Sequence, residues 1–246
     1  VKEEESKLVI EGNITDVKEC CNIRISQTVA YNELNNFPPV SGAFVEVKDN
    51  TGETFILKEA AEGIYKTEAL TGIPGRTYTV NVKINDKNHY HAVSKMPNPV
   101  SISRITSEDV NEFGEIKKAI LVHFKDPKDV RNFYVFRLVH KGELLRQVFT
   151  FDDLLYDGQS VTFKMTKDIE GDDEENRQFA IQKGDEIEVV MMCVDEKVHR
   201  YYQQLAEIVD SDGPLATTSN PISNFNGGCL GLFNAHTVNR KSYIVQ

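Results

Sequence analysis

The sequence predicts an all-β protein built as two β-sandwich domains, the second carrying one amphipathic helix over about residues 195–211. Three observations lead there. Apolar and polar residues alternate with period two through most of the chain, turn-forming breaks recur at short spacing, and helical periodicity is confined to one stretch.

The first hundred residues set the pattern. In "RTYTVNVKIND" (76–86), Tyr78, Val80, Val82 and Ile84 share one face while Thr77, Thr79, Asn81 and Lys83 share the other. That is a strand with one buried side. "LVIEGNI" (8–14), "NIRISQTVAY" (22–31), "GAFVEVKD" (42–49) and "TFILKEA" (54–60) read the same way. The breaks between them, "NNFPPVSG", "DNTGE", "AEGIY" and "TGIPG", hold the Gly, Pro and Asn that turns require. Residues 1–7, polar and starting at Val1 rather than Met, read as a solvated tether after a processed start. Residues 8–97 form the first sandwich, and "KMPNPVS" (95–101) is the linker to a second over 98–246.

Strands resume in "IKKAILVHFKD", "RNFYVFRLVHK", "LLRQVFTFDD", "SVTFKMTK" and "DEIEVVMMCVD". Ile187, Val189, Met191 and Cys193 face one way, and Val190 and Met192 make the other face apolar too, so that end is covered from both sides. In "DEKVHRYYQQLAEIVDSDGP" (195–214), Val198, Tyr201, Tyr202, Leu205, Ile208 and Val209 recur at helical steps. Asp195 is placed to cap the first turn, Glu196 and Arg200 to pair, and Gly213-Pro214 to stop the helix.

The stretch "SNFNGGCLGLFNAHT" (223–237) crowds glycines and asparagines before an apolar run. It reads as a tight entry into a central strand: Asn224 turns the chain and Gly227-Gly228 permit positive φ. Gly231 then permits a close neighbour, and Cys229, Leu230, Leu232 and Phe233 supply apolar groups on both faces. A phosphate cradle would need a helix after the glycines, and the sequence offers none.

Composition excludes several classes. Hydrophobic residues are 40% and charged residues 27%, as in folded soluble domains. No run approaches the roughly 18 apolar residues of a membrane-spanning helix. Lys and Arg are scattered, so nucleic acid is not an expected partner. Six negative charges lie in "DIEGDDEE" (168–175), and removing those six from the net −10 leaves −4 elsewhere. That segment lacks the spacing of a calcium loop and reads as a solvated hairpin tip.

Chemistry candidates are few. His89 and His91 share a strand face with the offset of two metal ligands, but exposed edge histidines are the commoner reading. His123 and His140 lie on consecutive strands and could meet across a hairpin. Glu196 and His199 have the spacing of half a di-iron site, which needs a second helix. Asp152, Asp153 and Asp157 in "FDDLLYDG" could supply a glycosidase pair only if two face each other at a suitable separation. Cys20, Cys21, Cys193 and Cys229 make no CxxC pair, and Cys193 and Cys229 read as core residues, with one distant disulfide left open. We expect no metal, no cofactor and no enzymatic activity.

Several segments together resemble the domain of unknown function 4249 family. "LVIEGNITD", "PVSGAFVEVKDNTGETFILKE" and "GIPGRTYTVNVKIN" carry it in the first half. "FKDPKDVRNFYVFRL", "FDDLLYDGQ", "KGDEIEVVMMCVDEKVHRYYQQL" and "NPISNFNGGCLGLFNAHTV" carry it in the second. The last segment is the most specific, and its Asn224, Gly227, Gly228, Gly231 and Phe233 are read as structural. Residues 38–84 also resemble transthyretin-like, carboxypeptidase-regulatory-like sandwiches. The family resemblance implies a Bacteroidetes outer-membrane lipoprotein, held at the cell surface by a lipid on a cysteine this chain does not contain. It implies a TonB-dependent transporter as partner in nutrient uptake, with a small molecule, saccharide or peptide as ligand. Rival readings are a structural or adhesive surface protein that pairs strands, and a hydrolase using carboxylate or metal chemistry.

Overall fold

The computed structural model describes residues 6–18, 20–29, 37–112, 114–166, 180–210 and 220–246. The strands of the first hundred residues are β1 (Leu8–Thr15), β2 (Asn22–Gln27), β3 (Phe44–Asp49), β4 (Thr54–Ala61), β5 (Ile64–Lys66), β6 (Thr77–Lys83) and β7 (His89–Lys95). Then follow β8 (Ile102–Glu112), β9 (Glu115–Lys125), β10 (Phe133–His140), β11 (Glu143–Leu144), β12 (Phe149–Asp152), β13 (Ser160–Thr166) and β14 (Glu186–Val194). Helix α1 (Glu196–Asp210), β15 (Phe225–Asn226) and β16 (Leu230–Ile244) complete the set. The acidic segment 168–175 and the Gly213-Pro214 stop lie outside the described residues.

The chain forms two compact units. One comprises Val1–Asn98, Val194–Leu205 and Thr217–Thr237; the other comprises Pro99–Cys193, Ala206–Ala216 and Val238–Gln246. A single cut at residues 97/98 therefore captures only the first crossing. The chain returns to the first unit for the start of α1 and for the glycine-rich closing stretch, because β16 pairs with β1.

The first unit is an all-β sandwich of two layers. One layer runs β16-β1-β2-β5 and the other β3-β6-β7-β15. Strand β4 serves both: Thr54 to Leu57 pair with β3, and Lys58 to Ala61 pair with β5 across a bulge at Glu59/Ala61. A bulge bends and twists a strand, which is how one strand turns the corner between layers. The faces are those the alternation predicts. Tyr78, Val80 and Val82 are buried with Ile10, Ile14, Ile23, Ile25, Val45 and Val47, while Lys48 and Lys83 face solvent. The "DNTGE" turn is held by Asp49, whose Oδ1 accepts from Thr51 N (2.9 Å), Thr51 Oγ1 (2.7 Å) and Glu53 N (3.0 Å). Burial pushes that carboxyl up, but these bonds and Arg76 outweigh it and hold its pKa low.

Strand β16 is the seam of this unit. It runs parallel to β1, with Ile10 opposite Gly231 and Gly12 opposite Phe233. Residues Gly231 to Thr237 are all buried, as the two-faced apolar pattern predicts. Gly231 has φ 102°, and a Cβ there would sit 2.0 Å from the Ile10 carbonyl oxygen. A Cβ at Gly227 would lie 2.8 Å from the Tyr90 ring. Asn224 acts as one rung of a ladder: its Nδ2 donates to Phe233 O (2.7 Å) and its Oδ1 accepts from Phe233 N (2.9 Å).

Asp195 caps α1 through Oδ1, which accepts from Val198 N (3.0 Å). Its Oδ2 accepts from Ser94 Oγ (2.5 Å) and Lys95 N (3.0 Å), tying the helix start to β7. Ser94 Oγ in turn accepts from Ala235 N (3.0 Å). Glu196 pairs with Arg200 as expected, at 3.1 Å.

In the second unit one layer runs β11-β10-β14-β16, with β12 also on β10, and the other runs β13-β9-β8. Phe124, Tyr134, Phe136, Leu138, Val189 and Met191 fill the space between them. Ile187, Val189, Met191 and Cys193 face inward as expected, and Val190 and Met192 are covered as well. Strand β8 lies against the far part of β16 through side chains. Asn239 Oδ1 accepts from Ile102 N (3.0 Å), and Lys241 Nζ donates to Ser103 O (2.8 Å).

Two outcomes follow from the seam. Gly231→Ala should cost at least about 3 kcal/mol, because both the positive φ and the Ile10 carbonyl oppose a methyl group. Asn224→Ala should cost about 2–4 kcal/mol by stranding the Phe233 amide and carbonyl; urea denaturation measures both. His236, also on β16, is held neutral: burial pushes its pKa down to about 4, with the Asn234 carbonyl opposing. The unfolded chain takes up that proton near pH 6.5, so stability falls as pH drops from about 6.5 to 4, by about 3 kcal/mol in all. His236→Leu should flatten that part of the pH–stability curve.

Candidate functional site

The described residues concentrate their buried charge at one end of the second unit, where the loop after β9 meets the loop after β12. Asp126 directly follows β9 and is a buried carboxylate. Its Oδ1 accepts from the Tyr134 hydroxyl and its Oδ2 from Gly158 N (3.0 Å). Asp153 is equally buried, accepting from Arg131 Nη1 and, through Oδ2, from Asn132 N (2.8 Å). Arg131 also reaches Asp152 Oδ1 at 2.9 Å and lies over the Phe133 ring at 4.8 Å. Asp157 Oδ1 accepts from Asp129 N (2.8 Å), and Lys125 Nζ donates to Gly158 O (2.6 Å).

Each carboxylate thus ties one loop to the other. Asp126 and Asp129 come from the first loop; Asp153, Asp157 and Gly158 come from the second. Asp129 and Gly158 adopt positive φ, 62° and 65°, and a Cβ on Gly158 would press on Lys128 at 2.8 Å. Beneath the loops the Phe151 ring packs against Tyr134, Tyr156 and Phe163 at centroid distances of 6.0, 5.4 and 5.5 Å. The floor is therefore aromatic and the braces are ionic.

The electrostatics follow from burial. Desolvation pushes the Asp126 carboxyl up; the Tyr134 and Gly158 bonds pull against it, and the Asp153 and Asp157 charges add to the rise. Burial, and then the Asp126 hydrogen bond, keep the Tyr134 phenol protonated far above its ordinary range, so it remains a donor.

One oxygen from each of Asp126, Asp153 and Asp157 lies within 4.8 Å of the others, a spacing that a hard cation could use. All four oxygens of Asp126 and Asp153 already accept a hydrogen bond, however, and the Arg131 guanidinium already supplies Asp153 with a positive charge. Of the three carboxylates weighed for a glycosidase pair, Asp153 and Asp157 come together, while Asp152 and Asp153 are both engaged by Arg131.

What these braces hold up is an apolar tip. Leu154 and Leu155 are 73% and 77% exposed, and Tyr156, next in sequence, is 43% exposed. Ile116 and Ile222 are comparably exposed elsewhere, but here two such side chains are adjacent, and burying both would be favourable.

The other candidates separate. His89 and His91 are exposed on β7, and His91 Nε2 pairs with Asn226 Nδ2 at 2.7 Å across the short β7–β15 ladder. His123 and His140 do not meet, contrary to the hairpin expectation, because β9 pairs with β8 and β13 rather than β10. His123 sits between Thr106 (2.8 Å) and Thr162 (3.0 Å), while His140 Nε2 pairs with Asp185 at 2.8 Å. Glu196 is exposed and pairs with Arg200, while His199 is buried, and no second helix is present among the described residues. Cys20, Cys21, Cys193 and Cys229 are unbridged. Sequence reading weighed "FDDLLYDG" for its carboxylates and passed over its leucines, although two adjacent apolar residues inside a turn were the available signal.

The family model described as "Domain of unknown function (DUF4249)" matches residues 1–242. No protein of curated function matches the chain. Among solved structures, a two-domain fibronectin type-III segment of chicken tenascin is 12% identical over 78% of this chain and 92% of its own, with TM-score 0.25. The FN1–FN3 domains of chicken CNTN1 are 12% identical over 76% of this chain and 57% of their own, with TM-score 0.27. At those scores the strand pairing itself, not the likeness, defines the fold.

Asp153→Asn should loosen the braced end by leaving Arg131 without its buried partner. The expected cost is about 2–3 kcal/mol in urea denaturation, with faster tryptic cleavage after Lys128 and Arg131.

Proposed function

The chain belongs to the domain of unknown function 4249 family, and on that premise we propose that it is an accessory binding module. It is lipid-anchored at the outer membrane and serves a TonB-dependent transporter in nutrient uptake. The family resemblance supplies the setting. The observation that carries a contact role is the braced tip, in which Leu154, Leu155 and Tyr156 are held open on a loop fixed by Asp126, Asp153 and Asp157. A surface ordered before binding loses little conformational entropy on contact, and apolar side chains at its centre supply the gain.

Strand pairing with a neighbour is the weaker reading. The β7 edge is met by β15, Asp195 and Ala235, and the β8 edge by Asn239 and Lys241. Such capping blunts these two edges against strand addition.

The test is made in the native organism with the full-length protein. Deletion should slow growth on the nutrient of the cognate transporter, and a Leu154→Asp/Leu155→Asp variant at equal abundance should reproduce that defect. Metabolic labelling with a palmitate analogue should mark the protein. Normal growth of the deletion strain on every nutrient tried, with no transporter co-purifying, would count against the proposal.

A further inference from the structure

We infer that the Leu154–Leu155–Tyr156 tip inserts into the headgroup region of an electroneutral lipid surface, as a shallow second contact beyond any covalent anchor. The inference rests on the reading of this tip as the contact surface and names what it contacts.

Shape is the first argument. The two leucines are adjacent in sequence and both are more than 70% exposed, so they project from a turn rather than line a groove. Projecting apolar groups suit a deformable medium that closes around them, whereas a groove suits a partner's side chain. The tip is also fixed from below. Gly158, Asp129 and Asn132 amides are each held by a carboxylate of the facing loop, so insertion need not order the backbone first.

Exposure and charge around the tip agree with this. The leucines are the most exposed of the three tip residues, Tyr156 is less so, and the carboxylates of Asp126 and Asp153 are buried. Tyr suits the boundary where one end of a ring is apolar and the other wet. Lys128 and Asp129, 77% and 79% exposed, flank the tip with opposite charges. Lys125 and Arg131 are engaged with Gly158 O, Asp152 and Asp153. A rim of both signs complements a zwitterionic headgroup, which carries both signs itself. Surfaces that seek anionic lipid instead present a cluster of free cations.

The chain has no Trp, so one introduced Trp reports its own surroundings. Leu155→Trp is compared with Ile56→Trp, an exposed position on β4 of the other unit. Both proteins, carrying an N-terminal hexahistidine tag, are bound to phosphatidylcholine vesicles that contain a nickel-chelating lipid, with and without brominated acyl chains. The expected result is quenching at position 155 at least about twofold stronger than at 56, with a blue-shifted emission. In untagged protein, Leu154→Ser/Leu155→Ser should lower vesicle partition at least about tenfold without changing the melting temperature. Equal quenching at 155 and 56, or unchanged partition of the double variant, would overturn the inference. A cross-linker at position 155 that yields only protein adducts in cells would overturn it too, while leaving the uptake role standing. Quenching as expected, in a protein whose deletion leaves uptake normal, would uphold the lipid contact and remove the uptake role.

Discussion

The first unit depends on how closely β16 can lie against β1. Parallel pairing sets the Gly231 α-carbon where any side chain would meet the Ile10 carbonyl, so the ladder closes only with glycine there. Closing it puts Phe233 and Ala235 into the core beside Ile10 and Ile14. Asn224 then fills backbone bonds that no strand supplies. The glycine-rich stretch is thus a device for seam closure, and its asparagine is a side chain doing a backbone's task.

The second unit solves a different problem. Burying Asp126 and Asp153 at a sheet end is costly, and attraction to a partner recovers that cost only when the remaining lone pairs are also satisfied. Here each of the four oxygens accepts a hydrogen bond, from Tyr134, Gly158, Arg131 or Asn132. Replacing such a network with hydrocarbon would often be neutral or favourable for stability. What hydrocarbon would not provide is direction: each carboxylate specifies one amide of the opposite loop and so fixes where the leucines stand.

Much of this was legible in the residues. The alternation of Tyr78, Val80 and Val82 gives the buried face of β6, and Asp195 before Val198 gives the start of α1, because both are local rules. The turn and close-approach roles of Gly227, Gly228 and Gly231 were legible for the same reason. Contacts between distant segments were not. Nothing in "TFILKEA" says that its two halves pair in different layers, since a bulge changes register without changing composition. Asp126 and Asp153 follow separate strands, β9 and β12, which lie in different layers, and nothing local to either segment says that they meet. The single boundary at 97/98 missed the returns of the chain for the same reason.

Strand β16 contributes residues through Thr237 to one unit and residues from Val238 to the other. During synthesis on the ribosome, β1 emerges early and waits for a parallel partner encoded more than two hundred positions later, Val9 for Leu230. Neither sandwich can therefore finish while the nascent chain is still short. The pieces made first, Ile10 and Ile14 among them, must stay shielded until translation nears this strand, which favours cells that supply holding chaperones.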